Sequence, residues 1–234
     1  MAMQRYNNKS IYTRLERMNS ILVICFQVLI LSQVLSTYDG THSIFILSAF
    51  IIAYLLTDFI NGLVHMYMDN NTRYNSVIGP FISSFHLHHA RFIYSHKNIF
   101  NVYFYESGTK FWLLAYLIGV SLAQRYLHLP YMLNVCFVSV GILSSIAEIS
   151  HFLCHNATQK NKIITRLQKY HILLSKKHHS KHHLNDNMHY AFLNGMTDPL
   201  LNKISHYYYS GYKNHADQHT SAYIKLLKKE NIEH

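Results

Sequence analysis

Charge is what this sequence has least of. Only 14% of its 234 residues are charged while half are hydrophobic, which excludes an ordinary soluble domain of this length and points to membrane segments. Acidic residues are the scarcer sign, eleven against twenty-one lysines and arginines. Cysteine is nearly missing as well. Cys25, Cys136 and Cys154 supply neither a disulfide framework nor a C-x-x-C pair. Cys25 and Cys136 lie in apolar runs and read as core residues; Cys154, between two histidines, reads as packing. There is no internal repeat and no long low-complexity run. Glu-x-x-His occurs once, at Glu148–His151, and carboxylate-bridged di-iron bundles need two copies plus further glutamates, so the single copy argues against that chemistry.

What the chain does have is long apolar runs and nineteen histidines. The runs predict an all-α integral membrane protein with about four transmembrane helices, at about 20–36, 44–65, 111–124 and 131–152. The third is short for a bilayer and fits a tilted or re-entrant hairpin arm. The first lacks a small-x-small cleavage site behind it and is read as a retained helix rather than a signal peptide. Residues 1–18 form a basic cytosolic N-terminus, 19–205 the membrane domain and 206–234 a cytosolic C-terminal tail. Of the lysines and arginines, four fall in 1–18, four in 67–110 and twelve in 156–234, and only Arg125 falls in the opposite turns. The positive-inside rule therefore puts both termini in the cytosol. The basic excess is thus assigned to a membrane face and not to nucleic acid.

The histidines cluster on that same face. His65 ends the second run, with Asp69 one helical turn on and Asp58 two turns before it. His88 and His89 follow in the next loop. His151 and His155 are where the fourth run leaves the membrane. His178, His179, His182 and His183 crowd into six residues of the stretch Lys176–His183. Neutral imidazoles at i,i+3 and i,i+4 bind borderline metals such as iron and zinc. One zinc takes about four ligands; roughly twice that number gather here, which predicts two metals under a cytosolic histidine-rich helical cap. An ionisable pair such as Asp58 and His65 inside a span is costly unless partnered, and counts as functional by default.

These boxes carry a resemblance. Asp58-Phe-x-x-Gly62-Leu-Val-His65-x3-Asp69, Phe85-x2-His88-His89, His151-x3-His155 and Leu167-Gln-x2-His171-x-Leu-Leu-x-x-Lys177-His-His-x-x-His-His183, continued by Asn194-Gly195 to Pro199-Leu200-x3-Ile204, resemble the plasmanylethanolamine desaturase family of Kua-type lipid desaturase domains. The match runs over about residues 50–205. Met66 stands where the family usually has Trp, Lys97 where an Asp is expected beside His96, and the gap from His183 to His189 is longer.

The resemblance implies an oxidoreductase with two irons, dioxygen as cosubstrate and an electron donor of the cytochrome b5 or ferredoxin type. Its substrate would be a membrane phospholipid and its product, in animal and bacterial members, a plasmalogen vinyl ether. It implies His65, His88, His89, His151, His155, His179, His182 and His183 as iron ligands, with Asp69, and behind it Asp58, orienting them. His96, His171, His178 and His189 stay open. The expected membrane is the endoplasmic reticulum or a bacterial inner membrane. A lipid or sterol hydroxylase on the same core, and a membrane metal transporter, are the alternatives.

Overall fold

The computed structural model describes residues 10–38, 40, 43–90, 98–106, 110–156, 161–213 and 215–230; His42, His96 and His234 lie outside them, as does the first half of the basic N-terminus. The described residues form α-helices and no strand: α1 (Ser10–Ser36), α2 (Ser43–Asn70), α3 (Gly79–Ala90), α4 (Ile99–Tyr105), α5 (Phe111–Tyr126), α6 (Tyr131–Asn156), α7 (Lys162–Lys169), α8 (Lys176–Leu184), α9 (Asp198–Tyr208) and α10 (Ala216–Glu230).

Among the described residues, three helices have the length and apolar character to cross a bilayer, through Tyr12–Ser36, Phe45–Asn70 and Tyr131–His155. At 1.5 Å per residue each reaches about 40 Å, against a hydrocarbon core of about 30 Å. Helix α5 has 16 residues, or about 24 Å, so the third of the four expected spans does not reach that length. It packs along α1 and α6 all the same. Gln124 donates to the Ile30 carbonyl at 3.2 Å, and Tyr116 to the Phe137 carbonyl at 2.9 Å. Leu113, Leu117 and Val120 of α5 join Val23, Ile30, Ala53, Val138 and Leu143 in the bundle core.

Only 28% of the apolar window of α1 and 33% of that of α2 are buried within the protein. Residues such as Ile21, Val28, Leu29, Leu47, Ile51 and Ile52 face outward. A soluble protein rarely exposes so large an apolar surface, whereas hydrocarbon accepts it. Cys25, expected in the core, is exposed on α1; Cys136 and Cys154 are buried, and the Cys154 thiol donates to the Leu174 carbonyl at 3.2 Å. The shorter helices assemble at the end of the bundle where α2 and α6 finish.

Candidate metal centre

Four elements deliver the histidines. The last turns of α2 carry His65 and Asp69, α3 ends in His88 and His89, α6 ends with His151 and His155, and α8 brings His179, His182 and His183. Helix α8, Lys-Lys-His-His-Ser-Lys-His-His-Leu, has little apolar surface to bury. Its start is fixed by Ser175, whose hydroxyl accepts from the His178 amide, and its buried face consists of three imidazoles. It therefore exists to present ring nitrogens rather than to fill a core.

Two clusters result. In one, His65, Asp69, His89 and His182 converge, all buried. Asp69 Oδ2 lies 3.0 Å from His65 Nε2 and 3.3 Å from His182 Nε2, and Oδ1 lies 3.3 Å from His89 Nε2. In the other, His88, His151, His155 and His179 meet through Nε2 atoms at 2.9–3.3 Å. His183 joins them: its Nε2 is 3.0 Å from that of His179, and its ring centroid is 5.1 Å from the ring of His89 in the first cluster.

The donor set fits metal cations better than it fits hydrogen bonds. His65 Nδ1 faces the Tyr190 carbonyl and His182 Nδ1 the Met188 carbonyl, both at 2.9 Å. A carbonyl only accepts, so a hydrogen sits on each Nδ1, and Nε2 is the atom each ring turns toward Asp69. Both Asp69 oxygens are buried without a hydrogen bond of proper geometry. In the second cluster, His151 Nε2 has three ring nitrogens around it, at 3.1, 3.0 and 3.3 Å. One ring nitrogen carries one hydrogen or one lone pair, which is too little to make good hydrogen bonds to all three. Nitrogens held about 2.0–2.1 Å from one metal ion stand about 2.8–3.4 Å apart at octahedral to tetrahedral angles. The observed spacings match that arrangement.

Burial keeps the rings in the form that ligates. Desolvation, reinforced by neighbouring rings, holds His88, His179 and His183 well below the ordinary histidine range and brings His182 to about 4. His89 goes the other way: burial opposes its charge, but Asp69 and Asp217 together raise it. A proton on His89 does part of what a bound cation would do beside Asp69.

The surroundings close the centre on the membrane side. Phe192 stacks on His151 with centroids 4.1 Å apart and lies 4.3 Å from His65. Buried Ala191 and Leu193 continue that floor. Asp58, expected to orient a histidine, is committed elsewhere: it accepts from the Leu193, Asn194, Gly195 and Thr197 amides and from the Thr197 hydroxyl. It fixes the floor and not a ring.

Asp69 stands among the nitrogens rather than behind one of them. The residues set aside as a tail pack onto the centre: Asp217 of α10 is 3.2 Å from His89 Nδ1, and the Tyr212 hydroxyl donates to the His182 carbonyl at 2.6 Å. Asp217, Tyr190, Tyr212 and Phe192 have no periodic or spacing signature that would mark them in a sequence. His171 is exposed at the turn after α7. His86 donates through Nε2 to the Met68 and Asp69 carbonyls and is a strut beneath α2. His178 and His189 meet at Asp198, outside both clusters.

Beside the centre, Leu63, Val64, Tyr67, Met68, Ile78, Phe81, Phe111 and Trp112 line an apolar cavity of about 330 Å³. A family model described as the lipid desaturase domain matches residues 54–210. That range contains every ring of both clusters and stops short of Tyr212 and Asp217. No curated protein and no solved structure matches the chain.

Proposed function

This chain belongs to the lipid desaturase domain family, and from that premise we propose that it is a di-iron, dioxygen-dependent desaturase that introduces a double bond into an alkyl or acyl chain of a membrane phospholipid, with the vinyl ether of a plasmalogen as the product. The observation that carries this reading is the pair of adjacent clusters at the ends of two membrane helices, with His183 between them. His65, Asp69, His89 and His182 would hold one iron; His88, His151, His155 and His179 the other. Bound there, the irons would supply the dioxygen chemistry that removes two hydrogen atoms from neighbouring carbons, with two electrons from an external donor and two protons completing two waters.

The protein's own part is to position and exclude. Outward Nδ1 bonds hold the His65 and His182 rings with their Nε2 atoms toward Asp69. Phe192, Ala191 and Leu193 keep water out from below. The apolar cavity beside Val64 and Met68, one position from His65 and Asp69 along α2, suits a hydrocarbon chain and offers it almost no polar partner. The topology in this reading has four passes, α5 crossing as a short helix, because α6 must begin at the opposite membrane face for its C-terminal His151 to meet His65. The basic excess supports a centre on the cytosolic face, and the membrane proposed is the endoplasmic reticulum or a bacterial inner membrane, with a soluble or membrane-bound electron donor as partner.

Lipid mass spectrometry of cells with and without the protein tests the reading. The expected result is a phospholipid population lighter by two hydrogens, acid-labile where the bond is a vinyl ether, that disappears with His182→Ala. A gain of one oxygen instead identifies a hydroxylase. An unchanged lipid profile accompanied by altered cellular metal content identifies a transporter.

A further inference from the structure

Outside both clusters, three side chains from separate elements meet near the surface: His178 of α8, His189 of the following loop and Asp198, the first residue of α9. His178 Nε2 is 2.5 Å from Asp198 Oδ2 and 2.9 Å from His189 Nδ1, while His189 Nδ1 is 3.5 Å from the same carboxylate oxygen. Hydrogen bonds cannot satisfy this triangle. A His178 Nε2 hydrogen given to Asp198 leaves His189 Nδ1 facing a nitrogen with no lone pair to accept and no second hydrogen to give. The remaining 3.5 Å contact is too long for a good hydrogen bond.

The backbone around the triangle is built to hold it. His189 takes a left-handed conformation at φ 61, with its amide donating to Asn202 Oδ1 at 2.9 Å. Asp198 Oδ1 accepts from the Ala191 amide at 2.9 Å, which leaves Oδ2 for the triangle. Gly195, at φ 85, passes so close that a Cβ there would come 2.8 Å from His178 Nε2. The two imidazoles are 22% and 16% exposed and the carboxylate 2%, an arrangement with a dry anchor and an open front.

We infer that His178, His189 and Asp198 form a third, separate site for a borderline divalent cation of the Zn²⁺ kind, held by two imidazoles and one carboxylate with water completing the coordination. A cation about 2.1 Å from each donor atom fits the 2.9 and 3.5 Å separations, and would hold His178 Nε2 and Asp198 Oδ2 apart at about 3 Å in place of their 2.5 Å contact. It ties α8, which carries three rings of the main centre, to the floor loop and to the start of α9. The inference does not depend on which metal the larger clusters hold.

Its test is a count. Full-length protein in detergent, stripped with chelator and dialysed against Zn²⁺, is compared with His189→Asn and Asp198→Asn by elemental analysis. Asn is tolerated at positive φ and is nearly isosteric with Asp. The wild type is expected to hold one equivalent more than either variant, a difference that survives even if the larger clusters bind nothing. Equal zinc in all three overturns the site and leaves a hydrogen-bonded triad only. Should His189→Asn fail to fold, Co²⁺ titration decides: a visible band that saturates one equivalent later in the wild type than in Asp198→Asn upholds the site, and saturation at the same equivalence in both overturns it.

Discussion

Asp58 and Thr197 lie 139 residues apart and are bonded twice: Asp58 Oδ2 accepts from the Thr197 amide at 3.1 Å and from its hydroxyl at 2.8 Å. With three more amides on Oδ1, the middle of α2 is fastened to the loop that floors the metal centre. A fully buried carboxylate on a long apolar helix is thus used to hold a loop, where each unmet amide would be costly.

Asp58→Asn turns one acceptor into a donor that faces other donors. It is expected to lower stability by about 2–3 kcal/mol, the scale of losing charged, buried hydrogen bonds. The readout is thermal unfolding of detergent-solubilised protein; an unshifted midpoint would show that the loop stands without Asp58.

His182→Ala and Asp69→Asn each remove a donor from the same cluster. Bound iron is expected to fall from about two per chain toward one, with product formation below detection. Metal analysis of the purified variants checks this. Full iron retention in His182→Ala would falsify the assignment of that cluster.

Asp217 lies past the end of the matched domain yet sits at His89 Nδ1, on the side of the ring away from Asp69. Asp217→Asn keeps the shape and removes the charge. An affinity about 10–100-fold weaker for iron is expected, the usual effect of losing a carboxylate behind a ligating histidine. Competition with a chelator of known affinity measures it, and wild-type affinity would return α10 to the status of a tail.

The metal-free protein should lose stability on acidification. His182 has a folded value of about 4 against about 6.5 when unfolded, and burial moves His88, His179 and His183 in the same direction. Between those values the unfolded chain binds more protons, so stability rises with pH and is lost as pH falls from about 6.5 toward 4. His89 contributes with the opposite sign, one ring against four. Unfolding midpoints of the chelated protein across that range should fall with pH, and bound metal should flatten the dependence; a midpoint that rises on acidification would contradict the buried, neutral rings.

The histidine boxes were legible in the sequence because ligands on one helix must repeat at i+3 or i+4. His65 with Asp69, His151 with His155, and His179 with His182 and His183 all obey that period. Apolar runs marked α1, α2 and α6 for an equally local reason: a helix that faces hydrocarbon is apolar along its whole length. Helix α5 was legible as well: expected at about 111–124 and short for a bilayer, it runs Phe111–Tyr126. Other residues had to wait for the tertiary structure. Asp58 looked like a partner for His65 on its own helix, but the donors it satisfies come from a loop 135 residues or more away in the chain. Cys25 was in an apolar run, and an apolar run in a membrane does not distinguish lipid-facing from buried. Tyr190, Phe192 and Asp217 carry no periodicity because each acts from an irregular segment or a distant helix. The sequence alone determined which residues could bind metal. Only the fold decided that they form two adjacent clusters, and that His178 and His189 belong to neither, because convergence of side chains from separate helices is a property of packing and not of spacing.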